Sequence, residues 1–342
     1  MLPQKNRVPF AIIVLILTSM KTKIYFLIIA MASLFMGCTT KTSKQGASTL
    51  SHSNQITIVG AYAMAPIMKI WISEYQKSHP YVKFNLEPNG SGQGLQNVLD
   101  GKTDLAMISE EIPKEKASFL WIAPVARLGV VPVVSAKNPY LKEILATGMT
   151  KEVLTDLFSG KNTKTWGELV GKAAKDPVKV FIREDNAGAT STLARYLSID
   201  RIQVKGSVVA GELELVNRVK NEPFALSYCN FIYAFDPYKK EFLDDLKVVP
   251  IDFPGKTNAE SYGKMFDTYD HLQRAMWLGK FPSALLRNLY IVSKGNPRTR
   301  EMVDFVYWIV TDGQKFIPEN GYIELHSSEV QNIVDTMKAM IQ

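Results

Sequence analysis

Cysteine and histidine are scarce in this chain of 342 residues, which has two cysteines, Cys38 and Cys229, and four histidines, at 52, 79, 271 and 326. Two thiols cannot build a disulfide framework or a cysteine metal site. The histidines stand far apart, and none falls in a ligand spacing such as H-E-x-x-H, so no metal centre and no cofactor is expected. A G-x-S-x-G elbow is missing too, and no histidine has a neighbour that would make it the base of a nucleophilic triad, which argues against catalysis. No uncharged apolar run reaches the roughly 18 residues that a spanning helix needs. Concentrated positive charge is also lacking. The formal charge is +7, but Lys5, Arg7, Lys21 and Lys23 precede residue 38 with no acid among them, which leaves 36 basic against 33 acidic residues in the remainder. A surplus of that size gives no basic face for nucleic acid.

What is present begins with an address. From Met20 the chain reads MKTKIYFLIIAMASLFMGC: two lysines, an apolar run from Ile24 to Met36, then Gly37 and Cys38. This layout is that of a secretory signal peptide. Its small residue before a cysteine resembles the cleavage site of bacterial lipoproteins, although Phe35 stands where that motif usually has Leu. The resemblance implies residues 1–37 as a signal segment, with Met20 as an alternative start, and Cys38 as the lipid-modified first mature residue. Residues 38–54, small and polar, read as a flexible tether. Cys229, within ALSYCNFIY, reads as a buried small hydrophobe.

The body is 46% hydrophobic over the whole chain, enough for a sizeable core, and its length suggests about two domains. Ile56–Val59 reads as a strand, and Ile67, Ile70, Trp71 and Tyr75 recur at helical spacing behind it. The unit repeats: a strand at Val82–Leu86, the turn NGSGQG, a helical face of Leu95, Val98 and Leu99, then a third strand at Leu105–Ile108. Gly129–Ser135 is a β-branched strand and a candidate crossing between lobes. Thr150 opens a helix that Gly160 closes, and Val178–Ile182 is a strand that runs into Arg183. Strand Leu289–Val292 and two amphipathic helices, one through Met302 and Ile309 and one over about 328–341, finish the chain. Strands alternating with helices predict parallel sheets covered by helices.

Turns at the carboxyl ends of parallel strands aim helix N-termini at a common crevice, where free N–H groups and the helix dipole attract an anion. GAYAMAP (60–66), NGSGQG (89–94) and REDNAGAT (183–190) are three such turns, and none is a nucleotide or dinucleotide fingerprint. Arg183 either grips an oxyanion through its fork or forms a salt bridge with Glu184 or Asp185. Ser91 and Ser109 offer hydroxyls, or are ordinary turn serines. Asp104 reads as a turn cap, and Glu110 and Glu111 as surface acids.

Taken together, Gly90-Ser91-Gly92, Asp104 to Ser109, MTKEVLTDLFSGKNTKTWGELVG, FALSY (224–228), FPSALLRNLYIVSKGNP and GQKFIPENGYIEL resemble the phosphate-binding proteins of bacterial ABC transporters, and the likeness covers nearly all of residues 55–326. The resemblance implies an α/β, two-lobed periplasmic binding protein of type II, with a hinge and an interlobe ligand cleft. Lobe 1 is expected over 55–134 plus 283–342, and lobe 2 over 135–282. By carry-over, Ser91, Ser109 and Arg183 are ligand contacts, with Tyr62, Gly92, Gly188, Ala189 and Thr190 as further donors. The family's hydroxyl positions hold Ala61, Ala63, Ala187 and Ala189 here, which weakens the case for tight phosphate binding. The expected function is a monomeric, lipid-anchored cell-envelope protein, in the periplasm or on the cell surface, that binds a small oxyanion such as phosphate for an ABC permease. The alternative is an envelope lipoprotein with a degenerate cleft, acting as a sensor or assembly partner. A phosphatase on this scaffold is the weakest reading.

Overall fold

The computed structural model describes residues 50–161, 164–184, 188–251 and 263–341. The signal segment, Cys38, most of the tether and Ala187 lie outside the described residues. Strand β1 (Gln55–Gly60) lies between β2 (Lys83–Pro88) and β3 (Leu105–Ile108), parallel to both. Helix α1 (Ala65–Gln76) links β1 to β2, and α2 (Ser91–Leu99) links β2 to β3. Such crossovers cover both faces of the sheet, so the strands can be apolar on both sides. Ile56, Ile58, Leu105 and Met107 join the main core with Trp71 of α1. Val59, Ala106 and Ile108 instead form a smaller cluster with Leu95 and Val98 of α2.

Long strand β4 (Leu120–Ser135) changes partner midway. Its first part, Leu120–Gly129, runs antiparallel to the C-terminal strand Leu286–Lys294, and its second part, from Val130, runs antiparallel to the strand Ala225–Asn230. Between these, helix α3 (Lys151–Ser159) opens with the Thr150 hydroxyl accepting from Val153 N and ends at Gly160. Strand β5 (Lys179–Arg183), helix α4 (Gly188–Leu197), β6 (Ser207–Val209), α5 (Glu212–Asn221) and β7 (Ala225–Asn230) follow. Strand β8 (Leu246–Val248) borders the end of β4, and helix α6 (Tyr269–Trp277) leads toward β9, the Leu286–Lys294 strand. Helices α7 (Arg300–Val310) and α8 (Ser327–Ile341) complete the order. The sheet runs β2-β1-β3-β9-β4-β7-β5-β6, with β8 on β4. Two half-sheets therefore share one strand.

The sheet is mixed rather than purely parallel, because β9 reverses direction against both β3 and β4. The stretch Leu120–Leu128, absent from the sequence expectation, is strand even though Pro124 lacks a donor. The β9–β4 register slips between Leu289 and Tyr290, opposite Ala126 and Pro124, the kind of irregularity at which proline is tolerated. A helical turn at Trp166–Val170 opens with a capping box between Thr165 and Glu168. Cys229 is fully buried on β7, and burial pushes its thiol well above the ordinary range.

Trp71 ties the first helix to the chain's end, since its indole is fully buried and Nε1 donates to Gly313 O at 2.9 Å. Replacing Trp71 with Ala should therefore cost about 3–5 kcal/mol of stability. Urea unfolding followed by circular dichroism measures this, and a loss below about 1 kcal/mol would contradict the packing described.

Candidate functional site

The three turns meet at one cavity of about 990 Å³ between the half-sheets, lined by residues of α2, β5, α4, α5, β7 and β9 and by the turns that follow β1 and β3. At the first turn, Gly60 ends β1 with φ +127°, and a Cβ there would lie 2.2 Å from Met107 O, so only glycine fits. Gly60 O accepts from Asn89 N and Gly90 N, which fixes the second turn against the first. Helix α2 then starts directly at Ser91, so Gly92 lies in its first turn and faces open space. Ser91 and Ser109 are both buried, with their hydroxyls 3.3 Å apart, and Ser109 N donates to Ser91 Oγ.

The opposite wall begins at Gly188, the first described residue of α4. A Cβ at Gly188 would stand 2.8 Å from Ser109 O and 3.4 Å from Arg287 Cζ. The two half-sheets therefore touch at this end of the cavity. Arg287, on β9 and buried, crosses between them: Nη2 donates to Asn230 Oδ1 at 2.6 Å and Nη1 to Thr192 Oγ1 at 3.3 Å. Burial holds its pKa down at about 10, opposed by the charges of Glu212 and Glu110, so the guanidinium remains protonated at neutral pH. Its Nε has no acceptor among the described residues.

Of the sequence candidates, Tyr62, Ser91, Gly92, Ser109, Arg183, Gly188 and Ala189 all line this cavity. Thr190 does not. It is turned into the core, where its hydroxyl lies 2.6 Å from Tyr228 Oη. Arg183 is present but committed: Nη1 donates to Glu212 Oε2 at 2.6 Å, with the two side chains only 9% and 5% exposed. Glu212, the first residue of α5, also accepts from Asn230 Nδ2 at 2.7 Å and from Asn230 N. The sequence offers Arg183 either an oxyanion or a salt bridge with Glu184 or Asp185; Asp185 lies outside the described residues, and the sheet brings Glu212 to it from the end of a different crossover. Glu110, read from sequence as a surface acid, lines the cavity. Asp104 caps as expected, with Oδ2 accepting from Thr57 N. Ala61 N donates to Met107 O, so the sheet already uses it.

Sequence reasoning missed Glu212, Asn230, Arg287 and Arg201. The first three sit at the ends of β6, β7 and within β9, where no glycine-rich turn marks them. Arg201 follows α4, half-buried on the cavity wall. Three arginines, 183, 201 and 287, face three glutamates, 110, 212 and 214, so the wall is charge-balanced. Among the described residues no group of histidine, cysteine and carboxylate side chains could hold a metal ion, and no helix is long and apolar enough to cross a membrane.

Two half-sheets sharing a strand, with a cleft between them, define a binding-protein architecture of the two-lobed α/β type. A family profile described as the PBP superfamily domain matches residues 42–313, and the chain belongs to that family. The phosphate-binding protein PstS of Bacillus subtilis is 24% identical over 282 residues, which span 81% of this chain and 83% of that protein. Among solved structures, an ABC-type phosphate transport receptor from Vibrio cholerae superposes with TM-score 0.60 at 19% identity, over 79% of this chain and all of that one. A candidate phosphate ABC transporter substrate-binding protein from Clostridium perfringens, solved with bound phosphate, gives TM-score 0.61 at 19% identity over 80% of this chain and all of that one.

Removing one member of a buried ion pair leaves the other charge uncompensated. Arg183→Ala should lower stability by about 3–5 kcal/mol, because it strands Glu212. Denaturant midpoints of the two proteins test this, and an unchanged midpoint would show that the pair is not structural.

Proposed function

We propose that the chain is a solute-binding protein that takes a small oxyanion, phosphate by similarity to its named relatives, and passes it to an ABC-type permease. It works as a monomer in the cell envelope, held to a membrane by a lipid on Cys38. Its role is binding rather than catalysis. The observation that carries this reading is the convergence, in one cavity, of the first turns of α2 and α4, the Ser91 and Ser109 hydroxyls and three arginines. Free N–H groups at helix starts and guanidinium forks suit a tetrahedral anion.

The lobes proposed are 55–134 with 283–342, and 135–282. The hinge proposed between them lies along the last part of β4, which exchanges β9 for β7 at Gly129 and Val130, just before the boundary at 134. A ligand held by both walls favours the closed arrangement in proportion to the contacts it makes only there. The sealed Arg183–Glu212 pair is a specific reason to keep the second reading, an envelope lipoprotein whose cleft no longer takes an anion.

Calorimetry separates the two. Phosphate should give saturable one-site heat, and Ser109→Ala should weaken binding by about tenfold to a hundredfold, the worth of one hydrogen bond to a charged ligand. No saturable heat with phosphate, arsenate or sulfate would remove the transport reading and leave the lipoprotein one.

A further inference from the structure

We propose that Arg201, rather than Arg183, is the guanidinium that takes the anion in this cleft, and that Glu212 reserves Arg183 for the fold. The inference rests on the proposed function and names a binding residue within that site. Three arginines line the cavity, but they are not equivalent. Arg183 is buried against Glu212, which is in turn held by two donors of Asn230. Arg287 is buried and donates to Asn230 and Thr192. Arg201 alone among the three has no hydrogen-bond or ion-pair partner among the described residues.

Its backbone is nevertheless anchored. Arg201 opens a single helical turn, Arg201–Gln203, in which Asp200 N donates to Gln203 Oε1 at 2.8 Å and Val204 N to Arg201 O at 3.1 Å. It lines the main cavity and also an adjoining one of about 580 Å³, and the two cavities share Ser109, Glu110, Gly188 and Arg287 besides Arg201 itself. The unpartnered fork thus belongs to the same wall as the buried serines. An incoming oxyanion meets an internal carboxylate already seated on Arg183. Expelling Glu212 would cost its bonds to Arg183 and Asn230 together, whereas Arg201 has five N–H donors with nothing to surrender. The anion therefore binds on the Arg201 side, and Glu212 steers it there by repulsion.

The test is titration of the full chain with inorganic phosphate, comparing wild type, Arg201→Ala and Arg201→Lys, with the thermal midpoint of each. Arg201→Ala should weaken phosphate about tenfold or more while leaving the midpoint unchanged, because no folded-state partner is lost. Arg201→Lys should fall between, since it keeps the charge and loses the fork. Wild-type affinity in Arg201→Ala overturns this inference and leaves the proposed function standing. A wild-type protein that takes up no phosphate overturns the proposed function, and the inference with it.

Discussion

The ion pair between Arg183 and Glu212 joins the end of β5 to the start of α5, and through Asn230 it reaches β7 and the Arg287 guanidinium on β9. Two full charges out of water persist when they are paired and further hydrogen-bonded, and Glu212 takes its further bonds from the two donors of Asn230. The cavity wall that carries this network is electrically balanced. The cleft's one partnerless guanidinium among the described arginines, that of Arg201, lies outside the network.

Most of the fold could be read from the residues. The apolar periodicity around Trp71 and Tyr75, the Thr150 and Gly160 boundaries, and the four-residue strand at Leu105 all form as the pattern dictates, since local hydrophobic spacing and tertiary packing agree there. The first part of β4 could not be read, although Gly129–Ser135 could. Pro124 argues against a strand there, and only the pairing of Leu120–Gly129 with β9 stabilises it. That pairing is non-local and leaves no trace in a window of sequence.

The candidate site divides in the same way. Small-residue turns announce themselves, so Ser91, Gly92 and Gly188 were legible. The partners of charges were not, because Glu212 reaches Arg183 across 29 residues and Arg287 reaches Asn230 across 57. A turn motif can show where an anion is welcome. It cannot show whether the welcoming cation is already occupied by a carboxylate of the chain itself. Thr190 illustrates the point in reverse: its position in the third turn suggested a donor, and the helix phase carries its hydroxyl to Tyr228 instead.

A family fold and a family ligand are separable here. Membership rests on the match over 42–313 and on a shared arrangement of strands, whereas the ligand depends on a handful of side chains in one cleft. The most direct measurement is a crystal structure of the protein grown with phosphate. The account predicts a tetrahedral anion within hydrogen-bond reach of Ser109 and the Arg201 guanidinium, with Glu212 still on Arg183. Phosphate seated on Arg183 with Glu212 displaced, or a cleft holding none, would contradict it.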